Sequence, residues 1–494
     1  MNSGIESLSM YIDGEWVASS DGSMLESINP TTGEIWARFP DATAEDVDRA
    51  VEAAHKAMTA GPWAGYSASQ RGKALYRIAE VLAEQADRIA SLETKDTGKL
   101  IRETGAQVPY IAEFYRYFAG LADKQEGQTL PIDKPNQFVF TIREPIGVCA
   151  AIVPWNSQMF LSAVKIAPAL AAGNAIVLKA SEHAPAPLLA LAQVMHDAGI
   201  PRGVFNVVTG SGPVCGSALT KHPRVARIAF TGGASAAREI VRNSAENFAV
   251  TTLELGGKSP ILIFNDADVE NAANSIVSAI FAASGQSCVA GSRVYVHQAL
   301  YDKVISAVAT KAETIRIGDP SDAATEMGPL ATLAQLTSTE RVLNGALQKG
   351  AVLRYGGHRH GSGKGYFFTP TILECRDHDN PAVHHEFFSP VLSTFSFSTE
   401  EQAISLANDS EYSLAAGIFT RDGGRALRLM RAVHAGTVFI NSYRAISPLA
   451  AFGGFGKSGA AREGGHESML DYSRPKTVWY NTSSDPIPDP FVMR

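Results

Sequence analysis

Cysteine is scarce in this chain, and its scarcity excludes one class of protein. Cys149, Cys215, Cys288 and Cys375 are the four cysteines among 494 residues, and none of them forms a C-x-x-C pair. Small secreted domains that depend on disulfides carry cysteine at a far higher density. The sequence therefore favours a protein of a reducing compartment, and a chain of this length can bury a large core without disulfides.

Basic charge is also in short supply. Lys and Arg number 43 against 50 Asp and Glu, which leaves a formal net charge of −7. A nucleic-acid-binding protein needs a basic face, so this balance predicts no nucleic-acid partner. Small anionic ligands stay compatible with it, because backbone amides at a helix N-terminus bind phosphate whatever the net charge.

Long apolar runs are missing as well. The most apolar stretches, residues 146–154 and 166–178, are too short or too interrupted by Gly173 and Asn174 to span a bilayer. The N-terminal segment has neither the basic nor the apolar region of a signal peptide. We therefore expect a soluble, cytoplasmic protein without a membrane partner.

Metal-ligand patterns are absent from the histidine-rich part of the sequence. His358, His360, His384 and His385 lie close together in the chain. They lack the spacing to cysteine or glutamate that zinc sites show. No metal site is predicted.

Helices and strands alternate regularly along the chain. Residues 44–58 predict a helix capped by Thr43, and residues 70–92 predict one long amphipathic helix. Short apolar runs that end in turn residues follow at 147–153, 175–178, 204–208, 227–230, 251–255, 260–264, 293–297, 369–373, 391–397 and 437–441. Strands that alternate with helices form parallel βαβ units, so the pattern predicts two α/β domains that meet near residues 255–260.

Three local segments place reactive or polar side chains where strands and loops end. Glu254 ends an apolar strand before a Gly-Gly turn, and Cys288 lies in a loop between a helix and the next strand. Asn156 follows a strand that runs into Pro154 and Trp155. Taken singly, each has an ordinary structural interpretation: an exposed carboxylate, a buried cysteine and a turn residue.

Together with further segments in the same order, these three resemble the NAD(P)-dependent aldehyde dehydrogenase superfamily over nearly the whole chain. The ordered segments are Pro154-Trp-Asn156, Lys179-Ala-Ser-Glu182, Phe230-Thr-Gly-Gly233, Leu253-Glu-Leu-Gly-Gly-Lys258, Gly285-Gln-Ser-Cys288, Glu386-Phe-Phe388, Asn441-Ser-Tyr443 and Phe452-Gly-Gly454 with Lys457-Ser-Gly459. Each segment alone is modest evidence, whereas the whole series in this order is very specific.

The resemblance implies an α/β fold with a Rossmann-like cofactor domain, an α/β catalytic domain and a small β oligomerisation arm. It assigns residues 1–122 and 146–256 to the NAD-binding domain and residues 257–460 to the catalytic domain. Residues 123–145 and 472–494, which fit neither α/β pattern, become the arm. Such an arm implies a homodimer or a homotetramer.

The resemblance also implies the catalytic roles. Cys288 would attack an aldehyde carbonyl, since a thiolate is a good nucleophile for this electrophile. The Asn156 side-chain amide and the Cys288 backbone N–H would hold the oxyanion, and loss of a hydride to the nicotinamide would leave a thioester. Glu254 would act as the base for its hydrolysis, and Glu463 would help to move protons.

NAD is the implied cofactor, and NADP is less favoured. By resemblance, Lys179 and Glu182 reach the adenosine ribose, where a carboxylate accepts hydrogen bonds from a free 2′-hydroxyl but repels a 2′-phosphate. The implied cofactor-binding residues are Pro154, Trp155, Lys179, Ser181, Glu182, Gly212, Phe230, Thr231, Gly232, Gly233, Leu255, Glu386 and Phe388. The chain departs from the family pattern at Gly233, Ala237 and Ser389, where a hydroxyl residue and two glycines are usual.

A substrate funnel on the far side of Cys288 is implied too. Its wall residues are Ser157, Leu161, Val164, Ser287, Val289, Arg444 and Ile446, and Ala282 would help to close it. Few of these side chains are large, so we predict a roomy, mostly aliphatic pocket for a bulky aromatic or branched aldehyde, or for a semialdehyde. Arg444 is either a cation for a substrate carboxylate or a solvated loop arginine.

Two other functions stay open. A CoA-acylating relative would pass the acyl group to coenzyme A, but such relatives typically lack the glutamate that stands here as Glu254. A catalytically silent binding relative would not need Cys288, Glu254 and Asn156 together.

Overall fold

The computed structural model of the chain describes residues 4–361, 363–487 and 489–492. Residues 1–3, 362, 488 and 493–494 lie outside the described residues, so the predicted domains and arm that include them are described in part.

Most of the chain is organised into strands and helices. The strands are β1 Glu6–Ser7, β2 Met10–Ile12, β3 Glu15–Val17, β4 Met24–Asn29, β5 Glu34–Pro40, β6 Thr129–Leu130, β7 Gln137–Pro145, β8 Val148–Ile152, β9 Ala175–Lys179, β10 Phe205–Val208, β11 Val225–Thr231, β12 Val250–Glu254, β13 Pro260–Ile263, β14 Arg293–His297, β15 Val352–Tyr355, β16 Thr371–Glu374, β17 Val391–Phe397, β18 Tyr412–Ser413, β19 Ala415–Phe419, β20 Thr437–Ile440, β21 Phe455–Gly456, β22 Gly459–Ala460 and β23 Ser473–Asn481. The helices are α1 Ala44–Thr59, α2 Ala68–Glu84, α3 Ala86–Thr97, α4 Ile101–Leu121, α5 Gln158–Ala171, α6 Ala186–Asp197, α7 Ser217–Lys221, α8 Ala234–Ser244, α9 Val269–Phe281, α10 Tyr301–Glu313, α11 Leu333–Gln348, α12 Pro381–His384, α13 Glu400–Asn408, α14 Gly423–Ala432 and α15 Gly465–Asp471.

Two large sheets carry the fold. The first has eight strands in the order β22-β12-β11-β8-β9-β10-β2-β3, and its five strands from β12 to β10 are parallel. The second has seven strands in the order β15-β16-β17-β14-β13-β19-β20, of which six are parallel. Every residue of β8 and β9 is buried, as expected for parallel strands covered by helices on both faces. The predicted α/β class is confirmed.

The two sheets are joined by a short turn that follows Glu254. This residue ends β12, and six residues later Pro260 begins β13 of the other sheet. In parallel sheets, ligands bind in the crevice beyond the carboxyl ends of the strands. The turn therefore brings the carboxyl end of β12 next to the second sheet.

The segments predicted as arms pair with each other. β7 and β23 run antiparallel from Ser473 opposite Pro145 to Asn481 opposite Gln137, and β6 adds a third strand. Large side chains stay exposed on this small sheet, including those of Phe138, Trp479 and Tyr480.

Local expectations are met in part. The predicted capping of α1 by Thr43 is confirmed, because its side chain accepts from the Asp46 N–H in a capping box. The single helix expected at 70–92 was wrong: α2 ends at Glu84 and α3 begins at Ala86. Apolar periodicity continues across the break at Gln85, so the pattern alone could not reveal it.

The length and apolar character of the helices bear on the prediction that the chain does not cross a membrane. Among the described residues, no helix combines the length and the apolar character that a bilayer crossing requires.

Candidate active site

The Glu254 carboxylate lies at the buried end of β12. It is 3% exposed, and neither of its oxygens has a hydrogen-bond partner among the described residues. Burial raises the pKa of this carboxyl well above its usual range, and the nearby charge of Glu463 adds to the effect, while Lys165 and Arg462 oppose it. Such a carboxyl holds a proton more readily than an exposed glutamate does.

Space for this carboxylate is left by a glycine of a neighbouring loop. Gly453 has φ +150°, and a Cβ added there would lie 2.5 Å from Oε1 of Glu254. Any side chain at this position would press on the carboxylate.

Cys288 follows a tightly constrained loop. Ala283 and Ser284 both have positive φ, 52° and 53°, which costs conformational energy outside glycine. Gly285 has φ +72°, and a Cβ there would overlap the carbonyl of Ser389. The Ser284 hydroxyl donates to Gly328 O at 2.8 Å, which anchors the loop.

Cys288 itself is the partly exposed cysteine, whereas the other three are buried. Its enclosed position raises the pKa of the thiol to about 12, and the charges of Glu254 and Glu386 push it in the same direction. A thiol with this pKa needs a base to become a nucleophile at neutral pH.

One cavity of about 230 Å³ brings together the four residues predicted to be catalytic. Asn156, Glu254, Cys288 and Glu463 all line it. The Asn156 Nδ2 donates to Gln286 O at 3.0 Å, two residues before Cys288, and so fixes the amide beside the cysteine loop. Residues from both sheets thus surround the same space.

A lysine that was not predicted from the sequence contacts Glu463, one of the four predicted catalytic residues. Lys165 is fully buried, and its Nζ lies 2.6 Å from Glu463 Oε1 and 2.6 Å from Thr231 Oγ1. It is the one charged residue in α5, which is otherwise almost entirely apolar and buried. A single lysine in such an apolar helix could have indicated a buried ion pair, because buried charges are almost always paired.

The predicted substrate wall is assembled around the same cavity. All seven predicted wall residues line it: Ser157, Leu161, Val164, Ser287, Val289, Arg444 and Ile446. Ala282 contributes differently, through a carbonyl oxygen that accepts from the Arg444 guanidinium at 3.4 Å.

The pocket is narrower and more aromatic than predicted. Phe114 from α4, Phe160 from α5 and Phe452 also line it, and the first two rings meet edge to face at 5.3 Å. The cavity of about 230 Å³ is smaller than the usual 300–1,000 Å³ of ligand sites. The expectation of a roomy, mostly aliphatic pocket was wrong because packing brings in rings from distant positions in the sequence.

A second and larger cavity, of about 810 Å³, lies beyond the strand ends of the first sheet. Ten of the predicted cofactor residues line it: Pro154, Trp155, Lys179, Ser181, Glu182, Gly212, Phe230, Thr231, Gly232 and Gly233. The turn of residues 212–216 and the beginning of α8 both contribute to its wall. We refer to this cavity as the cleft.

Leu255, Glu386 and Phe388 do not line the cleft itself. The Phe388 ring lies edge to face with that of Trp155 at 5.4 Å, so it adjoins the cleft. Glu386 Oε1 accepts from the Gly257 N–H at 2.9 Å, and burial raises the pKa of this carboxyl to about 7. Leu255 is buried.

Lys179 and Glu182 form an ion pair in the cleft wall. Their Nζ and Oε2 atoms are 3.4 Å apart, and the glutamate side chain is the more exposed of the two. Burial works against ionisation, but the Lys179 charge and hydrogen bonds hold the pKa of the Glu182 carboxyl below its usual value. The cleft therefore presents a carboxylate.

The departures from the family pattern have different structural settings. Gly233 precedes α8 without a side-chain cap, and a Cβ there would meet nothing within 4 Å. Ala237 is buried inside α8. Ser389 is also buried, and its hydroxyl has no hydrogen-bond partner among the described residues.

Comparison with known proteins identifies the class. A model of the aldehyde dehydrogenase family matches residues 16–478. The chain is 52% identical over 492 residues to a (Z)-2-((N-methylformamido)methylene)-5-hydroxybutyrolactone dehydrogenase of Acinetobacter baylyi, with 99% of this chain and all of that protein covered.

Solved structures agree with this result. An aldehyde dehydrogenase from Bacillus cereus in complex with NAD+ is 38% identical, with a TM-score of 0.95 and 97% of both chains covered. A betaine aldehyde dehydrogenase from Staphylococcus aureus in complex with NAD+ is 37% identical, with a TM-score of 0.95, 98% of this chain and 96% of that chain covered. The chain belongs to the aldehyde dehydrogenase family, as its ordered motifs predicted, and it is an oxidoreductase.

Proposed function

We propose that this enzyme oxidises an aldehyde to the carboxylic acid with NAD, through a covalent intermediate on Cys288. The observation that carries the proposal is the single cavity lined by Cys288, Asn156 and the unpartnered, buried Glu254 carboxylate. Oxidation of an aldehyde through a thioester requires a nucleophile, a donor for the oxyanion and a base. The three residues supply these groups around one small cavity.

The cleft fits a dinucleotide. Gly212 and Gly233 leave open space where a side chain would stand, so the backbone at the start of α8 is accessible to a diphosphate. Glu182 would accept hydrogen bonds from the adenosine ribose hydroxyls, with Lys179 beside it. At the other end, Glu386 and Phe388 would hold the nicotinamide ribose and the nicotinamide.

The chain's own groups divide the work. Cys288 gives its thiol proton to solvent and attacks the aldehyde carbon, and its backbone N–H with the Asn156 amide stabilises the oxyanion of the thiohemiacetal. NAD, when bound, would supply the hydride acceptor for that carbon, and Cys288 would then hold the acyl group as a thioester. Glu254 then takes a proton from water as the water attacks the thioester, and Lys165 and Glu463 provide a buried pair that accommodates the changing charge.

The substrate we propose is an aldehyde with an apolar aromatic or branched body, or a semialdehyde. Three phenylalanine rings line the cavity, which favours an apolar body next to the aldehyde. The Acinetobacter relative is named for a 5-hydroxybutyrolactone, a ring whose open form carries both an aldehyde and a carboxylate. NADH formation with benzaldehyde-type, long-chain, semialdehyde and short aliphatic substrates tests the proposal, and clear preference for acetaldehyde would contradict it.

Cofactor preference is expected to depend on Glu182. Replacing it by serine removes a carboxylate that repels a 2′-phosphate, so the preference for NAD over NADP should fall about tenfold. The measurement is kcat/KM for each cofactor, with Glu246→Ser as the control at an exposed position outside the cleft. An unchanged preference in Glu182→Ser would contradict the assignment.

The rate is expected to rise with pH. The pKa values of Glu254 and Cys288 are both raised, and both groups react in their deprotonated forms, which become more populated as pH increases. We expect kcat for an uncharged aldehyde, which covers both the attack by Cys288 and the hydrolysis step, to increase between about pH 6 and pH 9. A steady decline over this range would show that the reactive groups are not these two.

We also propose a homo-oligomer built through the small sheet of β6, β7 and β23. A three-stranded sheet that exposes Phe138, Trp479 and Tyr480 leaves much apolar surface uncovered. Light scattering of the purified protein should give the mass of a dimer or a tetramer, and removal of residues 472–494 should shift it towards the monomer. A monomeric full chain would contradict the proposal.

A further inference from the structure

The proposed substrate cavity meets a second cavity at a polar junction. The outer cavity has a volume of about 340 Å³ and shares five lining residues with the inner one: Gln107, Ser157, Ser287, Arg444 and Ile446. An aldehyde whose carbonyl carbon lies at Cys288 would therefore direct its far end to this junction. The side chains at the junction therefore determine which chemical group the substrate can carry at the end away from the aldehyde.

A buried lysine fixes the orientation of two of these groups. Lys99 is 7% exposed, and its Nζ contacts Gln107 Oε1 at 2.6 Å, Glu93 Oε1 at 3.2 Å and Ser157 Oγ at 3.4 Å. An ammonium group has three N–H donors and no acceptor, so all three donors are used. Glu93 is fully buried and lies 3.2 Å from the Lys99 ammonium, as expected because a buried charged group needs a partner of opposite sign.

The contacts of Lys99 leave the N–H and O–H donors of Gln107 and Ser157 available to a ligand at the junction. Because Lys99 can only donate, Gln107 must turn its carbonyl oxygen towards it, and its NH2 group has no hydrogen bond to any described residue. The Ser157 oxygen is likewise taken by Lys99, so its hydroxyl hydrogen is free to donate elsewhere.

Arg444 adds a positive charge to the same junction. Its Nη1 donates to the carbonyl oxygens of Ser278 at 2.9 Å and Ala282 at 3.4 Å, which holds the side chain across the loop. Its Nε and Nη2 form no hydrogen bond within the described part of the chain. The guanidinium is therefore both anchored and able to bind an anion.

One acid lies in the wall of the outer cavity, away from the junction. Glu103 Oε1 accepts from the Ala283 N–H at 3.1 Å, and its Oε2 is buried without a hydrogen-bond partner among the described residues. Glu103 is not one of the five residues that the two cavities share. Lys99 and Glu93 compensate each other. What faces a ligand is the amide of Gln107, the hydroxyls of Ser157 and Ser287, and Arg444.

We propose that Gln107 and Arg444 form a carboxylate-binding subsite, which selects aldehydes that carry a carboxylate at the far end from the reacting carbon. A carboxylate offers acceptors only, and a guanidinium with unused N–H groups is its best partner among side chains. Lys99 is a positioning residue that acts through Gln107. The inference rests on the proposed function, since it assumes that the aldehyde reacts at Cys288.

The test compares matched aldehydes with and without the carboxylate. The ratio of kcat/KM for 4-oxobutanoate over butanal, and for 4-formylbenzoate over benzaldehyde, is measured with NAD. We expect wild-type ratios of about tenfold or more, because a hydrogen bond to a charged group contributes about 1.5–3 kcal/mol. Since each ratio is internal to one protein, a general loss of active enzyme cancels.

Gln107→Glu is the sharpest variant, because it keeps the shape and the Lys99 contact but turns a donor into an acceptor. It should lower both ratios about tenfold or more, mainly through the KM of the carboxylated aldehyde. Arg444→Met should do the same, and Arg444→Lys should restore part of the ratio. Gln348→Glu, at an exposed position outside both cavities, is the charge-matched control and should leave the ratios unchanged.

The role of Lys99 is tested in a double variant that removes the charges of both Lys99 and Glu93, so that neither charge is left buried without its partner. Lys99→Met combined with Glu93→Gln frees the Gln107 amide to turn, so the ratios should fall again through KM rather than kcat.

The outcomes separate the subsite from the proposed function. Absence of NADH formation with every aldehyde, in a wild-type protein that is folded, would overturn the proposed function and the subsite with it. Oxidation of both members of each pair at similar kcat/KM would overturn the subsite alone. Wild-type ratios that persist in both Gln107→Glu and Arg444→Met would overturn it as well.

Discussion

Replacement of Cys288 by alanine is expected to lower aldehyde oxidation by about 10⁴-fold or more, because the intermediate has no other atom to form on. The loss should appear in kcat/KM with every aldehyde, while NAD binding, followed by quenching of tryptophan fluorescence, is retained. Cys288 does not line the cleft, so cofactor binding does not need its sulfur.

Cys149→Ala is the matched control. Cys149 lies buried in β8, and burial raises the pKa of its thiol to about 12 as well, but it lines neither cavity. It should retain most of the activity. Equal losses in the two variants would mean that Cys288 matters for folding rather than for chemistry.

Replacement of Glu254 by glutamine has the second large effect, and it falls on a different step. General-base catalysis contributes about 10²–10⁴-fold, so steady-state turnover should drop by that amount. Formation of the thioester consumes no water, and the proposed mechanism passes the Cys288 proton to solvent rather than to Glu254, so a burst of about one NADH per active site should remain. Stopped-flow absorbance at the NADH band separates the burst from the slow phase.

The control for this variant is Glu313→Gln, a carboxylate at the exposed end of α10. It should turn over normally. Loss of the burst in Glu254→Gln would place the glutamate before thioester formation, as the base for the Cys288 thiol. Acceleration of the slow phase by added coenzyme A would instead favour acyl transfer to that thiol.

The sequence predicts the parallel strands well because they are short apolar runs that end in turn residues. β14 and β17 begin and end where the pattern places them. β19 was missed, since its alanines and glycine lack the β-branched and aromatic side chains that mark strands. Its Gly417 lies instead where the Tyr443 ring packs closely on the backbone.

The sequence predicts those site residues that a local motif marks. It does not predict the residues that reach the site only through packing of distant segments. Glu254, Cys288 and Asn156 stand at strand and loop ends, which the local pattern reveals. Phe114 belongs to α4, and nothing in that helix indicates that its ring will line a cavity with Cys288. The contact of Lys99 with Gln107 depends in the same way on how the chain turns into α4.

The proposed mechanism requires a covalent bond between Cys288 and the substrate acyl group. Glu254→Gln should be mixed with NAD and benzaldehyde, quenched in acid during the slow phase, and analysed by intact-protein and peptide mass spectrometry. The expected result is a mass increase of one benzoyl group on the peptide that contains Cys288. Continued turnover with no adduct, or with the adduct on another residue, would contradict it.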